Sequence, residues 1–294
     1  MRPVSYPVQW RYACFIGNGI YKRKKLVESS KQFYGLWAVI LGGSSGFGFA
    51  AVEKLARHGM NIALLYRETA AVERKLKQNL SAIALQTGVT ILPFNINALD
   101  EAGRTSFIQQ FSATGGEKKC VKLLLHSIAR GNLKPLIAEG DVSAVLSIED
   151  IQLTTYAMST SLVDWARLLL KEGLFNEDAR IVGLTSEGAH KYWDSYAAVS
   201  IAKATLESLS TYLAVELSKY GVKTNIIQAG ITETPSLKRI PGSKELVDLA
   251  TKRNPLGRIT RPQDVANAVY LLCTDEAYWI NGSVIHVDGG EHCR

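Results

Sequence analysis

The stretch Leu36-Trp37-Ala38-Val39-Ile40-Leu41-Gly42-Gly43-Ser44-Ser45-Gly46-Phe47-Gly48 decides the fold. Its first six residues are apolar without alternation, which reads as a strand covered on both faces. The run ends at two glycines, and a helical pattern begins at Gly46 and continues to His58. A strand that turns through glycines into a helix lets backbone approach a pyrophosphate closely and aims the helix's free amides at it. Glycines alone also mark ordinary loops; the strand before and the helix after make this a dinucleotide turn.

Working outward, the same alternation repeats. Further strands are predicted at Asn61–Tyr66, Thr90–Phe94, Val121–His126, Arg180–Thr185, Lys223–Gln228 and Ser283–Val287. Helical patterns fall between them at Ala70–Thr87, Glu101–Ser112, Asp150–Glu172, Tyr196–Tyr220 and Arg261–Thr274. Short Val/Ile/Leu-rich strands alternating with helices are the pattern of parallel βαβ units. The prediction is one α/β domain over residues 36–294, a Rossmann-type doubly wound parallel sheet of about seven strands with helices on both faces. Neither a linker nor an internal repeat interrupts it, and residues 1–35 read as an extension.

The second strand runs into Arg67-Glu68. An acid at this strand end suits a free ribose 2′-hydroxyl, whereas an arginine fork suits a 2′-phosphate. Arg67 therefore favours NADPH, with NADH the alternative; the plain reading of Arg67 is a solvated loop residue.

Tyr196-Ala-Ala-Val-Ser-Ile-Ala-Lys203 carries the chemistry. Seven residues at about 100° each fall only about 20° short of two helical turns, so both side chains share a face. A tyrosine hydroxyl can donate to an oxygen that gains negative charge, and a nearby ammonium can hold a ribose and favour the charged phenol.

The glycine spacing, G-x-x-x-G-x-G, resembles that of the short-chain dehydrogenase/reductase family over about residues 36–290. Tyr-x6-Lys, in place of the commoner Tyr-x3-Lys, and His126-Ser127-Ile128-Ala129 after the fourth strand resemble its divergent branch of enoyl-acyl-carrier-protein reductases. That resemblance implies cofactor contacts from Gly42, Ser44, Ser45, Gly46, Phe47 and Gly48. It implies further ones from Asn95 and Ile96 at the adenine, Ser127 and Ile128 after the fourth strand, Lys203 at the ribose, and Thr232 and Thr234 at the carboxamide. Tyr196, Lys203 and Ser186 are the implied catalytic residues, with Gly131, Tyr156 and Tyr192 beside the substrate. Residues Pro235–Pro255 are implied as a lid, and Val287-Asp288-Gly289-Gly290 closes the sheet as in the family. No metal is implied. Many enoyl reductases of the branch carry a second tyrosine at the position of Ser186. A serine there is also how ketoreductases orient a carbonyl, and it equally suits a cap at the turn. His126, at a strand end beside the cofactor, reads as structural rather than as a base.

The implied reaction is reduction of the carbon–carbon double bond of a trans-2-enoyl thioester. A 3-ketoacyl or other carbonyl reductase is the alternative, favoured by Ser186; the Thr154-Thr155-Tyr156 helix lacks the asparagine such enzymes use to relay protons. A non-catalytic dinucleotide-binding protein with a basic partner-binding tail is the alternative of another class.

Composition sharpens the partner question. The chain of 294 residues has a formal charge of +7. Arg2, Arg11, Lys22, Arg23, Lys24, Lys25 and Lys31 face only Glu28 in the first 36 residues. The rest is nearly balanced, so the charge belongs to the extension. An acyl thioester on an acidic acyl carrier protein is a partner this cluster could help dock, as is a solvated or targeting role; nucleic acid is disfavoured. No run of about 18 apolar residues occurs, so no bilayer span is expected. Cys14, Cys120, Cys273 and Cys293 make no paired motif, and the N-terminus lacks the roughly 7–15-residue apolar core of a secretory signal. A reduced, cytoplasmic setting is expected. The resemblance also implies a homo-oligomer, a tetramer or dimer.

Overall fold

The computed structural model describes residues 32–114, 119–137 and 145–294. Its strands are β1 (Leu36–Leu41), β2 (Asn61–Tyr66), β3 (Ile91–Asn95), β4 (Cys120–His126), β5 (Phe175–Ser186), β6 (Val222–Ala229) and β7 (Val284–Val287). They pair in parallel in the order β3-β2-β1-β4-β5-β6-β7. The chain builds outward from β1 to β3, returns beside β1 as β4, and builds outward again to β7. The reversal between β1 and β4 opens a crevice at the carboxyl ends of the strands, where this architecture binds ligands.

Eight α-helices occur among the described residues: α1 (Gly46–Arg57), α2 (Ala70–Thr87), α3 (Glu101–Ala113), α4 (Ile148–Thr155), α5 (Ser161–Lys171), α6 (Ala197–Glu216), α7 (Ser243–Arg253) and α8 (Pro262–Cys273). Successive β1 side chains point to opposite faces. Ala38 and Ile40 join Val52, Leu55, Val265 and Val269 of α1 and α8. Val39 and Leu41 join Phe107, Trp165, Leu206 and Leu213 of α3, α5 and α6. Both faces are thus covered, which is why the strands read as unbroken apolar runs.

The folded body reaches back at least to Gln32. Phe33 is buried, its amide donates to the His58 carbonyl at 3.1 Å, and Gln32 accepts from the Tyr270 hydroxyl at 2.8 Å. The basic stretch up to Lys31, with its Lys22–Lys25 cluster, lies outside the described residues.

Three departures from the sequence reading have physical causes. The helix expected over Asp150–Glu172 starts earlier, at a capping box in which Ser147 accepts from the Asp150 amide at 3.1 Å. It is then interrupted by a π-helical turn over Tyr156–Thr160, which an apolar period cannot reveal. β5 begins five residues earlier than expected, through Asn176-Glu177-Asp178, because Asp178 is held there by three cations instead of by apolar packing. Within the lid segment Pro235–Pro255 a helix forms, α7, whose only buried side chain is Ala250. With so little apolar face, its sequence reads as polar loop. No described helix is long and apolar enough to cross a membrane.

Candidate active site

The glycine turn is built for close approach. Gly42 has φ +83°, and a Cβ there would lie 2.7 Å from the Ser127 carbonyl oxygen. A Cβ on Gly48 would lie 2.5 Å from the Gly42 carbonyl oxygen. Any side chain at either position would push the turn off β4 or off α1. The N-cap of α1, Ser45, makes no side-chain cap bond, and no acid occupies the helix's first turn. The amides and the positive helix end there are free for an anion, which fits a dinucleotide pyrophosphate.

At the adenosine side, Arg67 is exposed at the end of β2. Glu68, beside it, accepts from the Ser44 hydroxyl at 2.8 Å, which turns its carboxylate toward the glycine turn. Asn95 is committed to backbone. It accepts from the Glu68 amide and donates to the Glu68 carbonyl, each at 3.0 Å, and its amide also reaches Glu73 at 2.9 Å. Ile96 donates its amide to the Tyr66 carbonyl at 3.0 Å. Both residues tie the end of β3 to the end of β2.

The cleft itself encloses about 1140 Å³, counting its open mouth, at the ends of β4, β5 and β6. It gathers Phe47 of the turn, Ser127 and Ile128, Ser186, Tyr192, Tyr196, Lys203, and Thr232 and Thr234. Tyr196 caps α6 rather than lying inside it, and its hydroxyl stands 3.3 Å from that of Ser186. Burial pushes the phenol upward in pKa, against a smaller lowering by Ser186. Lys203 is buried and donates to the Leu184 carbonyl at 2.7 Å. Its ammonium is pulled down to about 8 by burial, partly offset by the charge of Glu207. Ser195, just before Tyr196, sits at φ +58°, a left-handed conformation unusual for a non-glycine residue and most often found where a site demands it.

His126 is buried, with Nε2 3.0 Å from the Ser161 hydroxyl. Burial first, and the Lys203 charge second, push its pKa down to about 3, so it stays neutral near pH 7. Thr232 donates to the Gly230 carbonyl at 3.0 Å. Thr234 accepts from the Leu237 amide at 3.1 Å, joining the cleft to the lid.

Two expected substrate residues lie elsewhere. The Tyr156 hydroxyl donates to Asp164 at 2.8 Å and accepts from Arg104 at 3.0 Å; it joins α3 to α5 and is not among the residues lining the cleft. Tyr156 opens the π-helical turn Tyr156–Thr160, and its hydroxyl is taken up by Asp164 and Arg104 there. Gly131 also lies off the cleft lining, packed so that a Cβ would come within 2.7 Å of Thr154 Cγ2. Tyr192 does line the cleft but is largely exposed, its hydroxyl 3.3 Å from Asp194.

The structure adds residues that no sequence spacing links. Arg253, at the end of α7, pairs with Glu187 and, at 2.9 Å, with the buried Glu291. Glu291 is pushed upward by burial against the pull of Arg253. The partners are 66 and 38 residues from Arg253, far beyond any helical or strand period. Trp193 donates to the Pro241 carbonyl at 3.2 Å, so the loop before Tyr196 also touches the lid.

A turn shaped for a pyrophosphate, and a tyrosine–lysine pair facing one cleft, define a nicotinamide-dinucleotide-dependent oxidoreductase of the Rossmann type. The sequence model of the family described as Enoyl-(Acyl carrier protein) reductase matches residues 42–292, and the chain belongs to that family, among the short-chain dehydrogenases/reductases. The enoyl-[acyl-carrier-protein] reductase [NADH] of Aquifex aeolicus is 40% identical over 125 residues, which are 42% of this chain and 45% of that protein. Its crystal structure superposes with a TM-score of 0.73 at 27% identity, covering 90% of this chain and 99% of that one. The 3-oxoacyl-[acyl-carrier-protein] reductase of Escherichia coli is 28% identical over 88% of this chain and 98% of its own length.

Proposed function

We propose that this oxidoreductase reduces the carbon–carbon double bond of a trans-2-enoyl thioester. The observation that carries the reading is the pairing of Tyr196 and Lys203, seven residues apart, on one cleft wall next to His126-Ser127-Ile128-Ala129. The similarity to the Aquifex enzyme supports it. The glycine turn at Gly42 and Gly48 would hold the pyrophosphate of a reduced nicotinamide dinucleotide, which would supply hydride for the substrate β-carbon. Negative charge then collects on the thioester oxygen. Tyr196 donates to that oxygen, and Lys203 holds the ribose and biases the phenol electrostatically. A solvent-derived proton completes the α-carbon. Only a donor that binds the enolate better than the ester accelerates the step; one such donor contributes about 3 kcal/mol. Met158, Leu184, Leu237, Ile240 and Leu246 give the cleft apolar walls suited to an acyl chain.

Ser186, 3.3 Å from the Tyr196 hydroxyl, favours a second reading, reduction of a 3-ketoacyl thioester. Likeness to the Escherichia coli enzyme supports that one. For the cofactor, exposed Arg67 supports NADPH, and Ser44 holds the neighbouring acid, Glu68, on the turn. Oxidation of NADPH and of NADH is to be followed with crotonyl and with acetoacetyl thioesters. Crotonyl turnover with NADPH preferred is the expected result; turnover of the ketoester alone overturns the enoyl reading.

A further inference from the structure

Glu207 lies one helical turn beyond Lys203 on α6, on the same face. Both of its carboxylate oxygens are engaged. One accepts from the Thr185 hydroxyl at 2.6 Å, and the other meets His190 Nε2 at 2.7 Å. Thr185 stands between Leu184, whose carbonyl takes the Lys203 ammonium, and Ser186, whose hydroxyl meets Tyr196. His190 belongs to the loop that leads to Tyr196. Lys203 and Glu207 therefore grip adjacent residues at the end of β5, and the carboxylate also ties down the loop on the tyrosine's other side. The His190 contact is an ion pair whenever its imidazole is protonated, and the Glu207 charge also acts on Lys203.

We propose that Glu207 is a positioning residue of this site, which fixes the end of β5 and the loop before Tyr196 and keeps the buried Lys203 ammonium charged. This role rests on the reading that Lys203 binds the cofactor ribose. Burial disfavours an ammonium, and a nearby carboxylate opposes that loss. Deprotonation of Lys203 begins near neutral pH, since burial brings it down to about 8 even with Glu207 in place. The other titratable groups around the cleft and Glu207 are His126 on β4, His190 at 2.7 Å from the Glu207 carboxylate, Tyr192, Tyr196, Glu187, Lys191, Asp288, Glu291 and His292. Neutral His126 and the raised Tyr196 phenol do not change charge near pH 7, while Glu187 and Asp288 are held below the usual carboxylate range. Of these groups only His190 loses a direct partner when Glu207 is substituted.

The test reads cofactor binding alone, by NADPH fluorescence across about pH 6 to 9.5, with no acyl substrate present. The wild-type dissociation constant should rise along one ionisation near the Lys203 value, about 8. In Glu207→Gln that break should move to lower pH by at least about half a unit, with the low-pH plateau within about twofold of wild type. Glu207→Asp, which keeps the charge, should return the break toward the wild-type position. A break that stays in place, a uniform weakening at every pH, or a wild-type curve without a break overturns the role. Normal binding without crotonyl turnover would count against the enoyl reading and leave this one standing, whereas a chain that bound no dinucleotide would remove both. Thermal unfolding of each variant, measured in parallel, identifies a loss that is only one of folding.

Discussion

Tyr196 is held from two sides, by left-handed Ser195 before it and by Ser186 across from it at 3.3 Å. Its phenol is raised by burial, so it is the protonated, donating form that faces the cleft near pH 7. Tyr196→Phe removes that donor and keeps the ring. Loss of one donor to a developing oxyanion costs about a hundred- to a thousandfold in kcat. We expect that fall with crotonyl thioester, while NADPH affinity, which depends on the glycine turn and Lys203, stays within about threefold. A variant that lost cofactor affinity and turnover together would assign Tyr196 to binding. Tyr196 and Lys203 were legible in the sequence because a seven-residue spacing is itself geometric. Arg253 was not, nor were the Thr185 and His190 contacts of Glu207, because those partners are brought near only by the fold.

At the scale of elements, local pattern succeeds where apolar packing shapes the chain and fails where charge does. β1, β2 and α2 have the bounds their apolar periods predict. The polar start of β5 does not, since Asp178 is placed there by Lys122 on β4, Lys223 on β6 and its near neighbour Arg180. Lys223 and Lys122 each approach within 2.6 Å, and Arg180 is fully buried. One carboxylate thus joins three adjacent strands at the end of the sheet away from the cleft. Burial pushes Asp178 upward, but the three cations outweigh it and hold the carboxyl well below the usual range. Asp178→Asn leaves those cations without their counter-charge and should destabilise the fold by about 3–5 kcal/mol at pH 7. The sign with pH follows from linkage. A depressed carboxyl contributes fully above its unfolded value of about 4, and the contribution is lost as pH falls through the folded one. The gap between variant and wild type in urea unfolding should therefore narrow from pH 7 to pH 3. A constant gap would show that the site stabilises through packing instead.

For the whole molecule, the uneven charge poses the last question. The seven basic residues up to Lys31 give the chain nearly all of its +7, and the body from Gln32 onward is close to neutral. That body holds the complete sheet and cleft, and it includes Phe33, buried against the main core. A cut after residue 35 would remove Phe33 and damage the fold, so a clean test of the basic segment must end at Lys31. We expect removal of residues 1–31 to leave the thermal midpoint and turnover of crotonyl-CoA unchanged. With the same acyl group on an acidic carrier protein, KM should rise severalfold at low salt. The difference should vanish near 0.5 M salt, where exposed charges more than about 4 Å apart are screened. Equal KM values for carrier-bound substrate at every salt concentration would remove the docking role and leave the basic segment to solvation or targeting. A loss with the CoA substrate as well would mean that the segment supports the cleft itself.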